Sequence, residues 1–175
     1  SIGEFYIGRQ PFDWGLGVLN NSGALPYQDL GSIVDRIELD TAPFSLIDER
    51  WKNLFVALTF DRLSSGRSIS KRSDGDGWDA GLSVFYESEN LYLGGYVFGI
   101  YQHNFDVSGG LQGDLDPAVN WSLWGKYINT PFTVAMEFQN IFGEVKDLDD
   151  PLAAAIGDDS IDISAENFLL VSRFG

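Results

Sequence analysis

Few residues of this chain have the types and spacing that catalysis needs. Asp61 and Glu137 each stand on the polar side of an alternating apolar and polar stretch, and glycoside hydrolysis uses two facing carboxylates. Nothing in the sequence sets the distance between them. His103 is the single histidine, and no serine and aspartate beside it form a recognisable triad. The sequence therefore predicts no enzyme activity, and a glycan-acting enzyme is the weakest hypothesis.

Metal and cofactor binding have little support. Asp74, Asp76 and Asp79 lie close together with glycines between them, and calcium prefers several carboxylates on a flexible loop. The remainder of an EF-hand loop is missing, and three basic residues within 67–72 are available to pair with these acids. The chain has no P-loop and no dinucleotide fingerprint. We expect no cofactor, and we treat the three aspartates as weak calcium candidates beside the alternative of a solvated loop.

Composition excludes several classes of protein. The 175 residues carry a net charge of −15, which argues against binding to nucleic acid phosphates. No signal peptide is visible, and no apolar run approaches the roughly 18 residues of a spanning helix. A membrane protein with this sequence would therefore have to be a β-barrel.

Alternating apolar and polar residues predict strands along most of the chain. In one stretch Val134, Met136 and Phe138 fall on one face, while Glu137 and Gln139 fall on the other. Nine strands are predicted, at 2–9, 14–19, 32–40, 52–62, 78–87, 91–104, 118–128, 132–144 and 163–174. These patterns fit a soluble β-sandwich as well as a barrel.

The connections between the predicted strands separate these two folds. Short connections at 10–13, 88–90 and 129–131, with the intermediate connection 41–51 counted as short, alternate with long ones at 20–31, 63–77, 105–117 and 145–162. Outer-membrane barrels have tight periplasmic turns and extended outer loops. The alternation therefore favours an antiparallel transmembrane β-barrel.

Aromatic residues near the predicted strand ends also favour a transmembrane β-barrel. They are Trp14, Trp51, Trp78, Tyr86, Tyr92, Tyr101, Trp121, Tyr127 and Phe142. Transmembrane barrels place such rings at both membrane interfaces. Trp14, Leu16 and Val18 would share one face of the second strand, after a turn at Pro11–Asp13, and we expect that face to contact lipid.

The number of predicted strands indicates whether the predicted barrel is complete. Nine is odd, whereas bacterial single-chain barrels have an even number. If the short connections are periplasmic, the first strand runs inward from the outer side. We therefore expect residues 1–175 to be a single β-barrel domain, an incomplete portion of a larger barrel with at least one preceding strand missing.

One stretch resembles a known group of proteins. Gly8-Arg9-Gln10, then Trp14-Gly15-x-Gly17, Asn21-x-Gly23 and Gly31-x-x-Val34-Asp35-Arg36-Ile37 resemble porin-like outer-membrane proteins of Gram-negative bacteria, most of all a group known from myxobacteria and their relatives. The resemblance covers about 40 residues. It implies a diffusion channel or a structural barrel of the outer membrane, and no particular substrate.

Charged residues on the predicted strands are candidates for the lumen, because an Arg or Lys facing lipid costs about 2–4 kcal/mol at the midplane. The candidates are Arg9, Asp35, Arg36, Glu38, Asp61, Asp79, Lys126 and Glu137. Gly15 and Gly17 would leave room in the lumen for Arg9 and Arg36. Two interpretations stay open: a charge cluster that sets selectivity, and an arginine–carboxylate network that braces the wall.

Two main hypotheses of function follow. The first is a porin-like outer-membrane barrel of a Gram-negative bacterium, either a passive diffusion channel for small solutes or a structural barrel in an envelope assembly. Its partners would be outer-membrane lipid and lipopolysaccharide, small solutes, other envelope proteins or further copies of itself. The alternative is a soluble acidic β-sandwich that binds carbohydrate through exposed Trp and Tyr rings.

Overall fold

The protein is described by a computed structural model that covers residues 3–16, 33–63, 77–107, 111–148 and 160–174. All described strands belong to one antiparallel sheet, whose order follows the order of the chain. The strands are Glu4–Pro11 (β1), Ile33–Thr41 (β2), Leu54–Leu63 (β3), Gly77–Glu87 (β4), Leu91–Val107 (β5), Leu111–Asn129 (β6), Phe132–Lys146 (β7) and Ile161–Phe174 (β8). The predicted all-β fold is confirmed.

The predicted second strand is the main error in the assignment of strands. Residues 14–16 do not belong to a strand, and 17–19 lie outside the described residues. Gly15 has a φ of +55°, a left-handed conformation that ends an extended run. The described part of the chain therefore has eight strands, and the idea of a missing strand, which depended on an odd number, stays a prediction.

The strands define two ends of the sheet. We call the upper end the one at which β1, β3, β5 and β7 end, and the lower end the one with the described connections 42–53, 88–90 and 130–131. The connection 42–53 contains two 3₁₀ turns, Pro43–Leu46 and Glu49–Trp51. No helix in the described ranges is long and apolar enough to cross a bilayer.

The predicted long connection 105–117 is instead mostly a hairpin. β5 continues to Val107 and β6 begins at Leu111. Register shifts lie between Ile100 and Gln102, between Gln102 and Phe105, and between Leu115 and Val119. Because bulges interrupt the period-two alternation, the sequence pattern gave no strand signal there.

The two faces of the sheet differ in polarity. One face, called the polar face, carries buried hydrophilic side chains. They are Arg36, Thr59, Asp61, Asp79, Ser83, Gln102, Asn120, Ser122, Glu137 and Gln139. The other, the apolar face, carries exposed hydrophobic side chains, which include Ile37, Leu39, Leu58, Leu82, Val84, Leu93, Val97, Leu123, Met136 and Leu170. A water-soluble sheet normally has the opposite arrangement, with its apolar side chains inside.

Residues Phe12–Leu16, called here the inner segment, leave β1 and cross the polar face. Phe12 and Trp14 form a buried cluster with Val34, Tyr96 and Phe98. A second cluster at the upper end contains Ile100, Leu115, Ala118, Val145 and Leu148. The inner segment is thus the described part of the chain that fills the space over the middle of the polar face.

Candidate functional site

A buried ion pair anchors the polar face at β2 and β3. Arg36 donates from Nε and Nη2 to the two carboxylate oxygens of Asp61, both at 2.7 Å. A third bond joins Arg36 Nη1 to Glu38 Oε2 at 2.9 Å. Arg36 is 7% exposed and Asp61 is 0% exposed. Two parallel hydrogen bonds between guanidinium and carboxylate fix orientation as well as charge, so this pair holds β2 and β3 in one arrangement.

Aromatic and acidic neighbours surround this ion pair. The Arg36 guanidinium carbon lies 4.3 Å from the centre of the Phe12 ring, which is cation–π geometry. Asp79 stands opposite Asp61 in the register of β3 and β4 and is also buried. The first contact of the inner segment with the polar face is therefore between Phe12 and Arg36, and carboxylates surround this arginine.

Trp14 is the central contact of the inner segment. Its indole Nε1 donates to Ser122 Oγ at 3.0 Å. Its ring centre lies 4.6 Å from that of Tyr96 and 5.0 Å from that of Phe85. Only 4% of Trp14 is exposed. The expectation that Trp14 faces lipid is wrong, because it lies on a non-strand segment that folds over the polar face.

Glu137 holds the end of the inner segment. Its Oε2 accepts a hydrogen bond from the Leu16 amide at 2.6 Å. A Cβ atom on Gly15 would stand 2.7 Å from the same oxygen. Gly15 therefore leaves room for Glu137, and not for Arg9 or Arg36 as predicted; Gly17 lies outside the described residues.

A hydrogen-bonded group of side chains joins β5, β6 and β7 beneath Trp14. Gln139 Nε2 donates to Asn120 Oδ1 at 3.0 Å and to the hydroxyl oxygen of Tyr96. Gln139 is 1% exposed and Asn120 is 6% exposed. Most buried polar groups in proteins are hydrogen-bonded, and the two bonds of Gln139 Nε2 tie β7 to β5 and β6 on the polar face.

A polar cavity of about 290 Å³ remains beside the inner segment. Its hydrophilic lining includes Gln10, Asp13, Arg36, Glu38, Asp40, Thr59 and Ser83. The volume is at the lower limit of the roughly 300–1,000 Å³ of ligand pockets. The arrangement can hold water or a very small solute next to carboxylates.

The structure groups some of the predicted lumen residues and separates others. Arg36, Glu38, Asp61, Asp79 and Glu137 share the polar face; Lys126 is also on that face, near the lower end, with Nζ 5.8 Å from the centre of the Tyr92 ring. Arg9 and Asp35 do not join them. They form an ion pair of 2.9 Å on the apolar face near the upper end. Because adjacent strand residues point to opposite faces, Asp35 and Arg36 could not both face inward.

The structure adds no support for the calcium and catalytic candidates. Asp74 and Asp76 lie outside the described residues, and Asp79 is buried on the polar face. His103 Nδ1 lies 2.9 Å from Asp114 Oδ2 on an exposed part of the upper end. Among the residues that the structure describes, no three His, Asp or Glu side chains are grouped to hold a metal ion.

Trp14 and Tyr96 are the site residues that sequence reasoning missed. Tyr96 lies between glycines at 94, 95 and 99, so β5 shows no alternation that would orient it. The alternation of glycine and apolar residues around Trp14 predicts a strand there. Pro11 and Asp13 indicate that the first strand ends there, but they do not indicate the path of the chain that follows.

No protein-family model, no curated protein and no solved structure matches the chain. The resemblance of about 40 of its residues to porin-like proteins stays a prediction.

Proposed function

We propose that the protein is an outer-membrane β-barrel of the narrow, structural kind, with lipid against its apolar face and the inner segment inside. The observation that carries the proposal is the inverted polarity of the sheet. Large hydrophobic side chains of the apolar face are exposed, such as Leu123 at 58% and Leu170 at 58%, while carboxylates of the polar face are buried. Soluble proteins rarely expose an apolar surface that extends over a whole sheet.

The position of charge on the apolar face supports contact with lipid. Charged side chains on this face, among those described, lie in the upper half of their strands. By register they are Arg9, Asp35, Arg62, Asp114, Glu144, Lys146, Asp162 and Glu166. The lower and middle parts of the face are left without described charges, as an apolar membrane band requires.

Aromatic rings border this uncharged band at both ends. Phe60, Trp78 and Tyr101 stack in a row at the upper end, with 5.8 Å and 4.1 Å between ring centres. Tyr127, Phe132 and Phe174 are exposed at the lower end. On β4 the distance from Trp78 to Tyr86 is eight residue steps, about 27 Å along the strand at ~3.4 Å per residue. A strand tilt of 35–45° reduces this to about 19–22 Å, close to the ~25 Å band of outer-membrane barrels.

The soluble β-sandwich is the less favoured alternative. A sandwich buries its apolar side chains between two packed sheets. All described strands belong to one sheet, and the side chains exposed on it are the apolar ones.

Between a diffusion channel and a structural barrel, the filled polar face favours the structural barrel. Barrels of about eight strands have an interior that side chains just fill. Here Trp14, Ser122 and Glu137 occupy the middle of the polar face and are almost inaccessible to solvent. We therefore expect little or no conductance from the wild-type protein.

Two measurements test the proposal. Expressed with a secretion signal in a Gram-negative host, the protein should fractionate with the outer membrane, require detergent for extraction and change its mobility in SDS when heated. Recovery of folded protein in detergent-free buffer would refute the membrane assignment. In planar bilayers the purified protein should conduct far less than a general porin at equal amounts, and porin-like conductance would refute the structural assignment alone.

A further inference from the structure

β1 and β8 are the two edge strands of the sheet, and no register joins them in the described residues. Their side chains are the most exposed of all the strands. On the polar face of β8, Leu169 is 37% exposed and Val171 is 44% exposed. Edge backbone groups cannot remain unpaired in lipid, where each costs several kcal/mol. In the proposed membrane setting, each edge therefore needs a partner strand.

The curvature of the sheet brings these edges toward each other. Pro11 ends β1, and five residues later the Leu16 amide lies 2.6 Å from Glu137 of β7. Five residues span at most about 18 Å. In a flat sheet, β1 and β7 would be six strand spacings apart, about 29 Å. The sheet must therefore curve strongly toward its polar face, which brings β7 and its neighbour β8 closer to β1.

The registers show how the strands are staggered. The partners of Glu4 across the sheet are, in order, Asp40, Ala57, Ser83, Tyr96, Ser122, Gln139 and Asn167. β2 ends at Thr41, 41 − 40 = 1 residue beyond this line, whereas β7 begins at Phe132, 139 − 132 = 7 residues beyond it. Six residues over the five strand steps from β2 to β7 is about one residue, or ~3.3 Å, for each ~4.8 Å spacing. The slope is about 35°, the lower limit of the usual strand tilt in barrels.

We propose that the free edge of β1 pairs with the free edge of β8 of the same chain and closes an eight-stranded barrel. One further step with the same stagger, from β8 to β1, gives a total shift in register of eight residues around the barrel. The offset places Tyr6 opposite Arg173 and Ile7 opposite Ser172. The two strands run antiparallel, since β1 and β8 are seven antiparallel steps apart. The tight curvature favours this partner over a second copy or the preceding strand expected from the sequence, either of which would form a wider barrel.

The faces of the sheet agree with this register. Tyr6 is paired with Glu38 and Arg173 with Thr133, both on the polar face; Ile7 and Ser172 lie on the apolar face. A total shift of seven or nine residues would instead place polar-face residues of β1 opposite apolar-face residues of β8. The proposed pairing also places Gly8 and Gln10 beside the exposed Val171 and Leu169. The inference rests on the proposed function in one respect, because the need to pair the edges assumes that lipid surrounds them. The register of β1 with β8 follows from the sheet alone.

The chain has no cysteine, so an engineered disulfide can test the pairing without background. Opposite residues of antiparallel strands have Cα atoms about 4.5–5.5 Å apart, which a disulfide spans. The test variant is Ile7→Cys with Ser172→Cys. The matched control is Ile7→Cys with Phe168→Cys, whose second cysteine lies on the same face of β8 four residues away. Folded protein in detergent is oxidised, and linked peptides are identified by mass spectrometry.

We expect an intramolecular cross-link in the test variant, at least tenfold more abundant than in the control. Equal yields, a link only in the control, or links only between two molecules would each overturn the inference. The single-cysteine variants should extract and fold as the wild type does. A membrane-inserted protein without the cross-link would refute the closure alone. A cross-linked protein that is soluble without detergent would refute the membrane function and keep the closure.

Discussion

The indole nitrogen of Trp14 lies 3.0 Å from the hydroxyl oxygen of Ser122, although 108 positions separate the two residues in the chain. This contact joins the segment that follows the first strand to the sixth strand. It is made on the polar face, where Phe85 and Tyr96 pack against the same indole. The contact therefore ties the inner segment, which follows β1, to a strand five steps away in the order of the sheet.

Replacing Trp14 should strongly destabilise the protein. Trp14→Ala leaves a cavity and should lower the free energy of unfolding by about 3–5 kcal/mol. Trp14→Phe keeps most of the packing and should cost about 1 kcal/mol for the lost hydrogen bond. Urea unfolding in detergent, followed by the heat-dependent shift in SDS mobility, measures both changes. Trp51→Ala is the control, since Trp51 is 50% exposed in the connection 42–53; an equal loss there would contradict the role of Trp14.

Gly15→Ala should destabilise the protein more than Gly8→Ala. Both glycines have positive φ, +55° and +133°, so both substitutions strain the backbone. Only at Gly15 does the added Cβ meet a neighbour, Glu137 Oε2 at 2.7 Å, whereas nothing lies within 4 Å at Gly8. Chemical denaturation of both single variants measures the difference.

A double variant separates steric conflict from backbone strain at Gly15. If the carboxylate causes the conflict, Gly15→Ala should cost less in a Glu137→Ala background than in the wild type. An unchanged cost in that background would show that Glu137 does not restrict Gly15.

Removal of Asp61 should be far more harmful than removal of Asp35. Asp61→Ala removes the carboxylate that accepts two hydrogen bonds from the buried Arg36 guanidinium, and loss of one member of a buried pair costs about 3–5 kcal/mol. Asp35 is paired with Arg9 near the surface, with side-chain exposures of 40% and 67%. Asp35→Ala should therefore cost less than about 1 kcal/mol.

The double variant Arg36→Met with Asp61→Leu should recover much of the stability lost in Asp61→Ala, since a well-packed apolar pair often replaces a buried ion pair without net cost. Equilibrium unfolding of the single and double variants measures the recovery. A double variant as unstable as Asp61→Ala would show that the damage comes from lost packing rather than from an unpaired charge.

The face of the sheet on which many charged side chains lie was predictable from the sequence, because period-two alternation is a local property of a strand. The alternation around Asp61 and Glu137 placed both carboxylates on the polar side of their strands, where the structure has them. The contact partners were not predictable, since the register that brings Arg36 to Asp61 depends on which residues of two strands face each other. The prediction that Arg9 and Asp35 face the lumen is wrong because it rests on their charge, whereas the alternation along β1 and β2 places both on the apolar face.

The path of the inner segment could not be read from the sequence at all. Trp14 contacts residues of β4, β5 and β6, and these long-range contacts override the apolar and glycine alternation around it. The hairpin at the upper end was missed for a related reason: its backbone pairing continues through bulges that the side-chain pattern does not repeat.

The pKa of the Asp48 carboxyl should be below its usual range. The Arg50 guanidinium, and to a smaller degree the Arg50 amide, donate hydrogen bonds to this carboxylate and stabilise its charged form. A depressed pKa in the folded state contributes stability above the unfolded value of about 3.9, and this contribution is lost as pH falls through the folded pKa.

Carboxyl NMR titration can test this assignment. Arg50→Gln should raise the midpoint of Asp48 toward its ordinary value, whereas Lys52→Gln should leave it unchanged. Equal shifts in both variants would indicate a general effect of positive charge instead of the Arg50 hydrogen bonds.

A single arginine on the apolar face should have an effect that depends on its depth. Leu82 is the middle residue of the apolar row between Trp78 and Tyr86 on β4, so Leu82→Arg would place a charge near the proposed midplane. The expected cost is about 2–4 kcal/mol in the free energy of folding into lipid vesicles. Asn140→Arg is the matched control on the same face, because Asn140 lies in the upper half of β7 beside Glu166, at 3.3 Å. It should fold into vesicles almost as the wild type does. Urea titration of the folded fraction in vesicles measures both variants, and equal costs at the two positions would contradict the proposed contact of this face with lipid.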